Sequence, residues 1–239
     1  MKKCLLSGLL ILLSACGSGG GGSKAVVNVS SDGIWNGTFH SNYTNTDYQA
    51  TGIVVGNEAR FVNPQGTYQY AGNISTSGSN LSGTLNSYTN GQLSEALGIG
   101  GSAQTAAFMN GTYTGNAGDT GTFSFTYNTL YDSPSSTSLF DGFSWQGPKA
   151  GGGTVSLSFS QGQFTGQDTN LCTYNGTISI IDSTHNVYRL NTTVNCGTGS
   201  AGYNGLGFFA DISDDTFIFN ISNSSGNSSV TAEVYKQQG

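Results

Sequence analysis

The stretch "LCTYNGTISIIDSTHNVYRLNTTVNC", residues 171–196, carries the only two cysteines beyond the first sixteen positions, one near each end. With residues 182–186 as a loop, Ile181 faces Val187, and the pairing that follows sets Cys172 opposite Cys196. One face then carries Cys172, Tyr174, Gly176, Ile178 and Ile180 against Cys196, Val194, Thr192, Leu190 and Tyr188. The other face shows mostly Thr, Asn, Ser and Arg189. Strand side chains alternate with period two, so a slip of one residue destroys this segregation. The stretch therefore predicts a β-hairpin, and cysteines opposed at a non-hydrogen-bonded site lie within disulfide reach.

Other uses of the pair fit less well. A structural zinc site needs about four ligands, and His185 at the hairpin tip lies about 20 Å along the strands from the cysteines. No C-x-x-C redox motif occurs. Two buried thiols in a reducing compartment are the remaining alternative, and the N-terminus weighs against it.

"MKKCLLSGLLILLSAC" has two lysines, a short apolar run and small residues ahead of Cys16, the layout of an export signal and too short to span a membrane stably. Leu13, Ser14, Ala15 and Cys16 resemble the lipobox of bacterial lipoproteins. That resemblance implies cleavage before Cys16, a diacylglycerol and an N-acyl chain (palmitate or similar) on Cys16, and, with Gly17 rather than Asp next, sorting to the outer membrane. The glycine-rich run that follows reads as a flexible tether, two or more acyl chains anchor stably, and export supplies an oxidising compartment for a disulfide. The expected organisation is a signal peptide at 1–15, a lipidated cysteine and linker at 16–31, and β modules at 32–131 and 132–239.

Loss of Lys2 and Lys3 with the leader takes the net charge from −6 to −8. No basic patch remains to neutralise phosphates, which argues against a nucleic-acid partner. Charged residues make up only 8% of the chain, leaving few groups for catalysis, while 11% aromatics at alternating positions argue for packed β structure over disorder.

The chain also repeats. Trp35 and Trp145 are each followed two residues on by glycine, and "TYQYAGNIS" lines up with "LCTYNGTIS", matching Tyr70 to Tyr174, Gly72 to Gly176 and Ile74 to Ile178. A third segment, "AAFMNGTYTGNAGDTGTFSFTYN", resembles "SAGYNGLGFFADISDDTFIFNIS". Turn signals such as "VGNEA", "TSGSN", "SQGQ" and "NSSGN" punctuate short alternating runs, as in an all-β meander. The second half accommodates about eight strands, near 140, 153, 163, 171, 187, 203, 216 and 229, enough to close a small barrel. Helix is expected only as a turn around "QLSEALG". Glycines inside strands, at Gly37, Gly111, Gly176 and Gly205, fit tight curvature or close backbone contact. The fold expected is all-β: two tandem antiparallel meander barrels.

The second half, with "LYDSPSS", the cysteine hairpin and "YNGLGF", resembles a module that recurs in proteobacterial lipoproteins. At the level of architecture the chain also resembles the glycine-rich barrel lipoproteins of the transferrin-binding and factor H-binding kind; that likeness carries over no binding residues.

Candidate sites are few. Asp211, Ser213 and Asp215 in "DISDD" alternate as oxygen ligands do at the start of a calcium loop, but the glycine and distant glutamate of an EF-hand are missing, and an acidic turn reads better. His40 and His185 are each isolated in sequence, and no G-x-S-x-G, H-E-x-x-H or P-loop pattern occurs, so neither an enzyme nor a cofactor is expected. "GIW" at 33–35 is similar to the G-x-W of lipocalin first strands, although Trp35 reads first as a core aromatic closing a barrel end. The leading expectation is a lipid-anchored, non-enzymatic binding module for a protein, envelope or host partner. An envelope-assembly role on the periplasmic side and small-ligand carriage inside a barrel are the alternatives.

Overall fold

The computed structural model describes residues 29–63, 66–197 and 199–237; the leader, Cys16 and the linker as far as residue 28 lie outside them. Eight antiparallel strands form the first closed barrel: β1 (Gly33–Ser41), β2 (Thr46–Val55), β3 (Glu58–Val62), β4 (Tyr68–Ser77), β5 (Asn80–Thr89), β6 (Gln92–Gln104), β7 (Phe108–Gly115) and β8 (Thr120–Asn128), with β8 pairing back onto β1. Eight more form the second: β9 (Ser144–Pro148), β10 (Thr154–Ser160), β11 (Gln163–Asp168), β12 (Thr173–Ile180), β13 (Tyr188–Cys196), β14 (Gly199–Phe209), β15 (Thr216–Asn223) and β16 (Ser229–Lys236). The all-β tandem-barrel architecture is the one the sequence predicts.

The cysteine hairpin keeps its predicted register, with Thr173 opposite Asn195 and Ile180 opposite Tyr188. Cys172 and Cys196 form a disulfide with Cα atoms 4.3 Å apart. Tyr174, Ile178, Leu190 and Val194 enter the core, while Ile180 at the strand end stays exposed.

Three local expectations change. "QLSEALG" is not a helical turn but the start of β6, where pairing to β5 on one side and β7 on the other overrides the helix preference of Leu, Glu and Ala. The strand expected near 140 begins instead at Ser144. Phe140 follows a short 3-10 turn (Thr137–Leu139) and plugs the second barrel, its ring 4.8 Å from those of Phe159 and Phe217 and 5.0 Å from that of Phe209. Third, Trp35 and Trp145 fall on the first strands, and Tyr70 and Tyr174 on the fourth strands, of their barrels, but the last aligned segment pairs β7–β8 with β14–β15, one strand out of step. One alternating hairpin resembles the next, so an alignment slides by a strand without losing its pattern.

Barrel closure explains the strand glycines. A Cβ on Gly37 would overlap the Ser124 carbonyl on β8, and one on Gly205 would overlap the Asn220 carbonyl on β15; Gly111 and Gly176 are alike. Gly37→Ala should therefore lower stability by about 1–3 kcal/mol, as overpacking does. Gly100→Ala, where an added Cβ meets nothing within 4 Å, should stay within about 0.5 kcal/mol of the parent in urea denaturation. Equal effects at the two sites would refute the close-approach argument.

The barrels are fused side to side. Ile34, Ile53 and Val62 on the outside of the first pack on Leu206, Phe208 and Ile218 on the outside of the second, so these strands bury both faces. Beside this seam lies buried Arg60, whose guanidinium donates to Ser222 Oγ (2.7 Å) and Asn204 O (3.3 Å) across the interface and to Glu58 Oε1 (2.8 Å). Arg189 of the second barrel binds the other oxygen of Glu58. Burial alone would raise the Glu58 carboxyl pKa, but the two guanidiniums outweigh it and hold the pKa below the usual range.

Candidate binding cleft at the mouth of the first barrel

Strand direction alternates around a meander, so the connections after β1, β3, β5 and β7 gather at one pole of the first barrel. The opposite pole is closed. Trp35 is fully buried there, its Nε1 donating to Ser31 O (3.0 Å), while Thr76 Oγ1 bonds Val29 O and Thr105 Oγ1 accepts from Ser30 N–H (2.9 Å). Trp35 is thus a core aromatic that caps a barrel end. Further up the axis, Phe39, Phe61, Phe123 and Phe125 fill the interior.

The first pole opens into a cleft continuous with solvent and lined by five tyrosines. Tyr70 and Tyr113 are buried and make its floor, Tyr70 resting on Phe39 with ring centroids 4.3 Å apart. Tyr48 and Tyr68 meet edge to face at 4.6 Å and form a wall. Tyr43, at the tip of the β1–β2 turn, is 87% exposed.

Two carboxylates share the cleft. Asp119 accepts from Tyr113 OH (2.9 Å), Ser41 Oγ (2.9 Å) and Tyr43 N–H (3.3 Å), which ties three elements together at the rim. Glu95 reaches in from β6 beside Gly115, where a Cβ would collide with its carboxylate. Its Oε2 is shielded from solvent and meets no donor within the protein. Burial raises the Glu95 pKa, the Ala117 N–H works against that, and the Asp119 charge adds to it. Among the described residues lining the cleft there is no Lys, Arg or His. Aromatic faces beside an under-bonded carboxylate, in a concave site, suit capture of a guest that brings donors or positive charge.

The corresponding pole of the second barrel is filled from within. Asp168, at the end of β11, forms an ion pair with Lys149 and accepts from Tyr174 OH (2.9 Å) and the Cys172 N–H (3.0 Å).

The residues singled out in the sequence lie elsewhere. Cys172 and Cys196 staple the second barrel. The Asp211 carboxylate accepts from the N–H and hydroxyl of Ser213 and from the Asp215 N–H, each at 3.1 Å, so it caps its own turn; Asp215 lies 3.8 Å from Lys236. No group of three or more His, Cys, Asp or Glu able to hold a metal occurs among the described residues. Each histidine, isolated in sequence, gains an acid in space. His40 Nδ1 is 2.8 Å from Asp47 directly across the hairpin, and His185 Nδ1 is 3.0 Å from Asp182 with its ring on Tyr131. In the His185 cluster the Thr184 hydroxyl is bonded to Asp182 at 2.7 Å and faces the same ring nitrogen as the acid, so acid, imidazole and hydroxyl do not form a relay. Each tyrosine alone reads as core or rim, and Glu95 and Asp119, which no sequence motif marks, come together with them only through barrel closure.

No protein-family model matches the chain, and no curated protein does. Among solved structures it is similar to the isotype 1 transferrin binding protein B of serogroup B Neisseria meningitidis, at 12% identity over 81% of this chain and 59% of that one, with a TM-score of 0.34. It is also similar to a point mutant of transferrin binding protein B from Haemophilus parasuis Hp5, at 10% identity over 87% of this chain and 75% of that one, with a TM-score of 0.31. The resemblance to these barrel proteins is distant, and the chain spans 59% of the length of the first.

Proposed function

We propose that the chain is a non-enzymatic binding module, lipidated at Cys16, tethered by residues 16–31 to the outer membrane, with its β modules at 32–131 and 132–239, and that it captures a protein partner through the tyrosine-lined mouth of the first barrel. The observation that carries this reading is the cleft itself: rigid aromatic rings on a stiff barrel lose little entropy on contact, and Tyr is among the residues that anchor interfaces. Small-ligand carriage deep inside a barrel is disfavoured by the aromatic rings packed along both axes.

Immobilised full chain in detergent should retain a partner from external medium or envelope extract that a Tyr43→Ala/Tyr48→Ala variant holds about tenfold more weakly or worse. Equal retention by both would move the binding surface elsewhere. Cys16→Ser should shift the chain from the membrane fraction to the soluble one, and continued membrane association would refute the anchor. Maleimide labelling of a Tyr43→Cys chain in intact cells distinguishes an outward-facing mouth from a periplasmic one, the latter favouring envelope assembly.

A further inference from the structure

The two barrels satisfy a carboxylate at corresponding poles in different ways. In the second, a tyrosine hydroxyl and an internal ammonium, those of Tyr174 and Lys149, both meet Asp168. In the first, the Tyr113 hydroxyl meets Asp119, Glu95 stands in the same cleft with one undonated oxygen, and no basic side chain among the described residues lines the site.

Building on the reading of this mouth as the binding site, we propose that it takes an alkylammonium group, a lysine side chain presented by the partner, with Glu95 and Asp119 as counter-charges and the rings of Tyr48 and Tyr68 as its wall. The guest ammonium would play in the first barrel the part that Lys149 plays in the second.

The geometry favours ammonium over guanidinium. Asp119 already takes donors on both oxygens, and Glu95 Oε2 lies enclosed beside Gly115 with no donor on it. A compact point donor suits this arrangement, whereas guanidinium is best matched by a carboxylate open on two oxygens. Cation–π attraction from tyrosine faces adds to the ionic contact. The titratable groups facing Glu95 are Asp119 and the cleft tyrosines, so nothing internal neutralises it, and affinity should fall as acidification protonates the Glu95 carboxyl, above the usual carboxylate range.

The test is calorimetric titration of the full chain in detergent with Nα-acetyl-lysine methylamide, its Nε-acetylated counterpart, n-butylamine and methyl glucoside. The lysine compound should bind about tenfold more tightly than the neutral acetylated one, or better, as a charge-assisted hydrogen bond predicts. Glu95→Gln should remove that preference while leaving the thermal midpoint near the parent's. Tighter binding of n-butylamine than of the lysine compound would overturn a side-chain source in favour of a free amine. Preference for the glucoside or the acetylated compound, or no effect of Glu95→Gln, would overturn the cationic guest while leaving the mouth as a binding site. Failure of every probe while the tyrosine double variant still loses its partner would do the same. If instead that variant keeps its partner, the mouth reading fails separately.

Discussion

Asp168→Ala is expected to cost about 3–5 kcal/mol of stability, because it leaves a Lys149 ammonium without its partner in a region largely closed to water. The Asp168 side chain is fully buried and accepts from Lys149, Tyr174 OH (2.9 Å), the Cys172 N–H (3.0 Å) and the Asn170 N–H (2.9 Å). Burial by itself would raise the carboxyl pKa, but the hydrogen bonds from Lys149, Tyr174 and Cys172 outweigh it and hold the pKa below the ordinary aspartate value. A depressed native pKa means the ionised form contributes stability above the unfolded-chain value of about 3.9, and the contribution is lost as pH falls through the native value. The gap in unfolding free energy between parent and variant should therefore be full at neutral pH and narrow below about pH 4. Urea denaturation at a series of pH values reads both effects, and a gap under about 1 kcal/mol at pH 7 would show that Lys149 reaches water and that the network adds little.

Replacing Cys172 and Cys196 together by serine should cost about 3.5 kcal/mol, the chain-entropy estimate for a loop of this size. The bridge joins residues 24 apart, and its two strands are already registered by eight opposed residue pairs, so the native hairpin should persist and the loss should come from a freer unfolded chain. Reduction of the parent protein should reproduce the same fall in thermal midpoint. Binding at the first barrel should be unchanged in either case, since the staple belongs to the other barrel. Loss of binding with an unchanged melting temperature would give the cysteines a direct role in recognition instead.

The fold is most legible in the amino-acid sequence where the structure is local. Apolar residues in the cysteine hairpin sort onto one face in a single register, and that register is the one adopted. Phe217, Phe219 and Ile221 alternate along the sequence, and all three are buried. The outward neighbours Ile218, Asn220 and Ser222 were not readable as interface, although an uninterrupted buried run in β15 is the mark of a strand covered on both faces. Burial on the second face comes from Val62 and Arg60 more than 150 residues away, a contact with no local signature. The cleft was hidden for the same reason: Tyr48, Tyr68, Glu95 and Tyr113 stand on four different strands, and each alone looks like a rim residue.

An even strand count has a consequence for delivery. A meander of eight strands returns the chain to the pole it left, so residues 29–32 and the start of the connection at Thr129 both lie at the end capped by Trp35. The tyrosine-lined mouth is therefore built from strand ends and the turns that join them, free of chain ends and of the covalent link to the second barrel. A tether attached before residue 29 would act as a mooring line at the stern, leaving the open bow swung toward whatever approaches.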